Sequence, residues 1–251
     1  MPTKTRPISS AIRQPDPMAA IPTTIKNPAR VAQRRKELIE VSTKLFLERG
    51  FHNTSVRDIV RACTFNIASL YMYVSSKEDI LYLVAQDLMD TIARELDETV
   101  LADSADQSLE IGFRSYCRIV DRFRRHIRLL YREVGFLPQE PRSNVLQTVS
   151  GVVTYFEKII AEGVRAGVFR EVPARLVALD MMIIAHAIAL HTRDYRAITD
   201  LDSYIDFQLD TILLGLLRNT QRPGRPRSVT KAKKPAAARA KRGTSRAKTA
   251  R

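Results

Sequence analysis

The hydrogen-bonding side chains that could do chemistry in this sequence crowd into one stretch, where Ser55, Arg57, Asn66, Ser69, Tyr71, Tyr73 and Lys77 lie close together. Hydroxyls, an amide and cations donate to phosphate oxygens, and the apolar Ile67 and Ala68 among them can meet a base edge only through contact, most readily at a thymine methyl. Catalysis finds no comparable cluster. The chain has no GxSxG, no glycine-rich phosphate loop and no HExxH, and pairs such as Glu157 and Glu162 fall on ordinary charged helix faces. Cys63 and Cys117 stand alone, without CxxC spacing, so neither a disulfide framework nor a zinc site is expected. His186 lies within an apolar run and His191 just beyond it, with no second ligand motif beside either. His186 reads as a hydrogen-bonded interface histidine, and neither a metal nor a cofactor is expected.

The elements that must position this cluster are helical. Asn27 can cap, Pro28 suits a first turn, and Leu38, Ile39, Ser42, Leu45 and Phe46 keep one apolar face up to Gly50. Ser55-Val56-Arg57-Asp58 is a capping box that opens a short second helix, to about Cys63. Asn66 can cap a third, from Ile67 to Val74, in which Leu70 and Val74 face inward at i and i+4. Ser76-Lys77-Glu78-Asp79 opens a fourth, with a stripe through Leu81, Val84, Ala85, Leu88, Ile92 and Leu96. Two short helices framed by longer ones are what a helix-turn-helix needs, although the spacing alone also suits an ordinary bundle.

The helical pattern continues through Leu109, Phe113, Tyr116, Val120 and Phe123, then a basic segment from Arg124 to Arg132. After a loop from Gly135 to Pro141 it resumes through Val145, Val149, Val152, Val153, Phe156, Ile160 and Val164 to Gly167. After Pro173 an eighth helix is apolar nearly all round, and a ninth carries Ile205, Leu209, Ile212, Leu213, Leu216 and Leu217. Surplus apolar surface on the last two helices predicts a pair that docks on its twin through Met182, His186, Ile205, Leu209, Ile212, Leu213 and Leu216. The fold class is all-α, with about nine helices.

Charge divides along the chain. The net +14 comprises +3 for residues 1–27, +4 for 28–78, −5 for 79–220 and +12 for 221–251. Polyanion-binding surface is therefore expected at the two ends. Residues 1–27 read as a flexible leader and 221–251 as a disordered basic tail, within which Arg222-Pro223-Gly224-Arg225-Pro226-Arg227 partly resembles an AT-hook. No apolar run reaches the roughly 18 residues of a membrane span, and the opening residues lack a signal peptide's apolar core. A cytoplasmic protein is expected.

From Glu37 to Leu81 the text resembles the TetR family signature without a gap, through Leu45-Phe46, Gly50-Phe51, Thr54-Ser55-Val56, Asp58-Ile59, Leu70-Tyr71 and Ser76-Lys77-Glu78. Thr64 stands where that family usually has glycine, Asn66 where it has a serine-like cap, and Val74 replaces a frequent Phe. The resemblance implies a helix-turn-helix DNA-binding domain at 28–76 and a ligand-binding and dimerisation domain at 77–220. It places Ile67, Ala68 and Tyr71 at base edges and Ser69, Tyr73 and Lys77 near phosphates, with Ser55 and Arg57 beside them and Asn66 capping. It also implies an apolar pocket among the middle helices, for which Phe113, Tyr116, Cys117, Val120, Phe123, Phe156 and Met182 are candidates. The partners implied are double-stranded DNA, a second copy and a small hydrophobic ligand. RHIRLLYRE resembles a segment of acyl-thioester-responsive members, so an acyl-CoA belongs to that ligand class. The expected function is a ligand-responsive repressor on a pseudo-palindromic operator. The alternative is an architectural nucleoid protein acting through the tail.

Overall fold

A computed structural model describes residues 21, 23 and 25–217. The tail, its AT-hook-like run and most of the leader lie outside these residues. Among those described, the chain forms ten α-helices, one 3₁₀ turn and a lone antiparallel bridge between Phe169 and Leu217.

Helix α1 (Pro28–Arg49) starts as its sequence predicts, with the Asn27 side chain accepting from the Arg30 amide and Pro28 in the first turn. It stops at Gly50, whose φ of 86° is open to glycine at no steric cost. Capping boxes at Ser55/Asp58 and Ser76/Asp79 open α2 (Val56–Ala62) and α4 (Lys77–Asp97), and Asn66 caps the four-residue α3 (Ile67–Leu70). The rest of the expected third helix unwinds into turns, closed by bonds from the Tyr73 and Val74 amides to the Leu70 carbonyl.

Helix α4 buries every residue from Ile80 to Leu88 except Asp87, since it packs against α1 on one side and α7 on another. Then come α5 (Ala105–Arg122), α6 (Arg124–Glu133), a 3₁₀ turn (Val134–Phe136) and α7 (Gln139–Arg165). Helix α7 begins inside the expected loop, with Pro141 in its first turn, where the missing N–H breaks no bond. Helix α8 (Ala174–Leu190) packs on α5, α6 and α7, which explains why it is apolar on so many sides.

A short α9 (Thr192–Ile198) meets α8 at 89° before α10 (Leu201–Leu216). The sequence TRDYRAI has no apolar period, so α9 is the helix missing from the expected nine. Among the described residues no single helix is long and apolar enough to cross a membrane.

The last helices correct the expected outer face. Met182, His186, Ile205, Leu209 and Leu216 are all buried within the chain's own core, while Ile212 and Leu213 are half-buried. The exposed apolar residues lie in a different register, at Leu176, Leu179, Ile183 and Leu190 of α8 and at Phe207 and Leu214 of α10. Both helices carry two apolar stripes, and the first stripe closes the monomer. The described part of the leader is also anchored: Ile21 is buried, and the Thr23 hydroxyl donates to the Met72 carbonyl at 2.7 Å.

Candidate nucleic-acid interface and enclosed cavity

Three polar clamps fix the backbone around the short α2 and α3. Arg35, on the inner face of α1 and fully buried, donates through Nη2 to the carbonyls of Tyr73 at 2.9 Å and Ile21 at 2.7 Å, with Nε also directed at Tyr73. Glu37, half a turn on, accepts from the Thr64 amide at 2.6 Å, and Arg34 donates to the Thr64 hydroxyl at 2.6 Å and to Glu37 at 2.9 Å. Burial pushes the Glu37 carboxyl up, but hydrogen bonds from Thr64 and Arg34 outweigh it and hold the group below the usual carboxylate range. The turn that usually carries glycine is here tied to α1 through threonine. The third clamp is Lys77, whose Nζ donates to the carbonyls of Phe51 at 3.0 Å and Thr54 at 3.1 Å and lies 4.2 Å from the Phe51 ring centroid.

The result is an end of the molecule with Ser55, Arg57, Asn66, Ile67, Ala68, Tyr71 and Met72 exposed and Ser69 half-buried, while Leu70 and Val74 face the core. Of the expected phosphate contacts, Tyr73 is corrected and Lys77 is already engaged within the chain. Tyr73 is only 3% exposed, its ring tilted against Phe65 at 6.3 Å, so it is a packing residue. Lys77 already directs its ammonium at two carbonyls, so it braces the loop before α2. Met72, exposed beside Tyr71, was missed because a methionine carries no polar signal.

A cavity of about 170 Å³ lies between α4, α6, α7 and α8. Met89, Ile92, Ala93, Ile127, Leu130, Val134, Val145, Leu146, Val149 and Val152 make its apolar walls, and Tyr116, Tyr131 and His186 its polar edge. Of the expected lining only Tyr116 takes part. Phe113, Cys117, Val120 and Phe156 are fully buried core, Met182 packs beside them, and Phe123 turns toward His126 with ring centroids 5.5 Å apart. His186, expected at an interface, lies between Tyr116 and Tyr131 with 2.6 Å contacts to both hydroxyls. Burial pushes its imidazole down to about 4 and holds Tyr116 well above the usual phenol value.

The cavity and the end that carries α3 are joined by α6. Arg125 donates to the Leu47 carbonyl of α1 at 2.8 Å. Buried Glu133 accepts from Arg132 at 2.6 Å and has Oε2 3.1 Å from His52 Nε2, in the loop after α1. Phe136 stacks edge-on against His52 at 4.7 Å, continuing a ladder through Phe51 to Phe46. Among the described residues, no three potential metal ligands gather.

Residues 38–82 match the profile of bacterial regulatory proteins of the tetR family, and residues 102–190 that of the tetracyclin repressor-like C-terminal domain, together more than half of the 251 residues. The chain belongs to the TetR family. It is 27% identical over 173 residues to the HTH-type transcriptional regulator HbdR of Aromatoleum sp., which spans 68% of this chain and 75% of that one. It is also 26% identical over 182 residues to the HTH-type transcriptional repressor DhaR of a Mycobacterium strain, covering 71% of this chain and 92% of that one. Among solved structures, the TetR-family regulator PfmR of Thermus thermophilus superposes with a TM-score of 0.61 at 24% identity, over 72% of this chain and 99% of that one. AibR, solved with isovaleryl coenzyme A and operator DNA, superposes with a TM-score of 0.59 at 18% identity, over 71% of this chain and 97% of that one. These likenesses carry the fold. This TetR-family chain is thus a transcriptional regulator with an N-terminal helix-turn-helix and a larger helical C-terminal domain.

Proposed function

We propose that the protein is a dimeric repressor that inserts α3 of each copy into successive major grooves of a pseudo-palindromic operator and releases it when a small hydrophobic ligand fills the cavity. The observation that carries this reading is the exposed group Ile67, Ala68, Tyr71 and Met72, apolar or aromatic residues held out to solvent on the four-residue helix and the clamped turn that follows it. Ile67, Ala68 and Tyr71 would reach base edges, while Ser55, Arg57 and Ser69 would contact flanking phosphates. Asn66 keeps its capping role. Two such helices about 34 Å apart match one helical turn of B-DNA.

A second copy is the occupant we assign to the apolar face formed by Leu176, Leu179, Ile183 and Leu190 of α8 with Phe207 and Leu214 of α10. Large apolar side chains held out to solvent on both of these helices need cover. The ligand reading is supported by the apolar cavity, which opens to solvent past Leu146 and Tyr131, and an acyl-CoA is one class that suits it, as the isovaleryl coenzyme A complex of AibR illustrates for that protein. Coupling would run through α6, whose Leu130 and Tyr131 line the cavity while neighbouring Glu133 and Phe136 touch His52. A ligand moves that contact only by its differential affinity for the two arrangements.

The test is selection of genomic fragments bound by the full-length protein, with light scattering at micromolar concentration. An inverted-repeat motif and a dimer are expected, and Ile183→Glu should give monomers that lose the motif. Fragments without a shared motif, or a monomeric wild type, would overturn the reading.

A further inference from the structure

The cavity is apolar on every side but one, where Tyr116, His186 and Tyr131 stand in a row. The Tyr116 hydroxyl is 2.6 Å from His186 Nε2 and the Tyr131 hydroxyl 2.6 Å from Nδ1. Burial keeps the imidazole neutral, so it has one N–H to give and one lone pair to receive. One tyrosine must donate to the ring and the other must accept from it.

Burial decides which. Tyr116 is 1% exposed, and no described residue other than His186 is in reach of its hydroxyl, so its proton has to go to Nε2. The reverse arrangement would strand a buried O–H, at a cost of about 1–3 kcal/mol. Nδ1–H is then the donor to Tyr131. Tyr131 is half exposed and lines the cavity, and no described residue accepts its own O–H. The row is thus a one-way chain that ends in a donor, and each bond polarises the next.

We propose that the Tyr131 hydroxyl is the recognition group of this cavity, and that the part of the effector held there is uncharged and mainly apolar and presents one carbonyl-type oxygen, that of a ketone, ester or thioester. The proposal rests on reading the cavity as the effector site. A plain hydrocarbon would leave the donor without an acceptor. A free carboxylate would lose its hydration among aliphatic walls that carry no cation. Size gives a further constraint: about 170 Å³ is close to the roughly 150 Å³ of engineered cavities that take benzene. The enclosed part of the effector is therefore about six to eight non-hydrogen atoms. Anything larger leaves past Leu146 and Tyr131, the two exposed residues on the lining.

Calorimetric titration of the full-length chain tests this with four probes: 4-methyl-2-pentanone, 3-methylbutanoate, the N-acetylcysteamine thioester of 3-methylbutanoic acid, and benzene. At least one carbonyl probe should bind about tenfold or more tighter than the carboxylate, and which of the two it is separates a free ketone from a thioester. Tyr131→Phe, a change at a half-exposed ring, should weaken that probe about tenfold and leave benzene unaffected. Equal affinity of wild type and Tyr131→Phe for the carbonyl probes, or preference for the carboxylate, would overturn the proposal. Ile92→Trp, which fills the cavity, separates the two readings. If benzene binds and Ile92→Trp expels it while Tyr131→Phe is silent, only this inference falls. If no probe binds, or Ile92→Trp leaves binding unaltered, the effector-site reading falls too. Nitrogen-15 shifts of the His186 ring give a check that needs no ligand: a protonated Nδ1 is expected, and a protonated Nε2 would reverse the chain and overturn the assignment.

Discussion

The head built by α1 to α3 and the body from α4 onward are held by different forces. The head has a small apolar core around Leu38, Phe46, Ile59 and Leu70, and side chain to backbone bonds at Arg35 and Glu37 hold the segments on either side of its four-residue helix, while Lys77 holds the loop before α2. The body is held mainly by apolar packing of long helices, with ion pairs such as Arg114 to Asp206 and Arg175 to Glu157 bridging helices nearer the surface and a polar row at the cavity edge. A helix of four residues cannot hold itself, since nucleation alone outweighs what so few backbone bonds return. Directional bonds fix such an element in place. Aliphatic packing is less directional and tolerates exchange, and it can leave a void that a ligand fills.

The comparison breaks most readily at its strongest point. Arg35→Met preserves much of the volume but strips donors from two carbonyls, and should cost about 3 kcal/mol. Met181→Leu, at an equally buried position of α8, should cost less than about 1.5 kcal/mol. Urea denaturation of both variants measures the pair, and equal losses would erase the distinction.

Acid should next find the body through His186. Its pKa in the folded chain, about 4, lies below the ordinary value of 6.5, so the unfolded chain binds more protons between those limits. Stability from this site is complete above about pH 6.5 and falls as the pH drops toward 4, by roughly 2–3 kcal/mol. In the head, Glu37 and Asp58 are held below the usual carboxylate range, by bonds to Thr64 and Ser55 respectively, so their contribution persists until the pH falls beneath it. Unfolding free energies at pH 7 and 4.5 should show a wild-type loss that His186→Gln lacks. An identical loss in the variant would place the sensitivity elsewhere.

Lys77→Met should cost about 1.5 kcal/mol, by freeing the carbonyls of Phe51 and Thr54, and weaken fragment binding without altering the bound motif. A changed motif would return Lys77 to the DNA surface. The smallest effect is expected from Ile67→Ala, under about 1 kcal/mol in affinity, with relaxed preference at one position in each half-site of a randomised-operator selection. An unchanged motif would remove Ile67 from base reading.

What could be read from the sequence was local. The boxes at Ser55/Asp58 and Ser76/Asp79, the caps at Asn27 and Asn66 and the stripe of α4 each span a few residues, and all formed as expected. Arg35 was illegible because its partner carbonyl is 38 residues away, at Tyr73. The cavity was illegible for another reason. Val149 at its wall and Phe156 in the core are both apolar residues of one helix, and what separates them is whether a neighbour is missing. On α10, Leu209 and Phe207 are both apolar, and only packing against other helices, α5 among them, determines which turns inward.

The bond from Arg35 to the Ile21 carbonyl changes where this molecule can be cut. Residues 38–82 are the stretch the family profile recognises, and Pro28 begins the first helix, so either would be the natural seam for a chimaera that moves this head onto a foreign sensor. The seam at Pro28 keeps the buried guanidinium but discards its Ile21 acceptor, and the seam at residue 38 discards Arg35 itself and with it the clamp on Tyr73. The transferable module starts upstream of Ile21, and a graft made at Asn27 should melt lower than one that carries those few extra residues along.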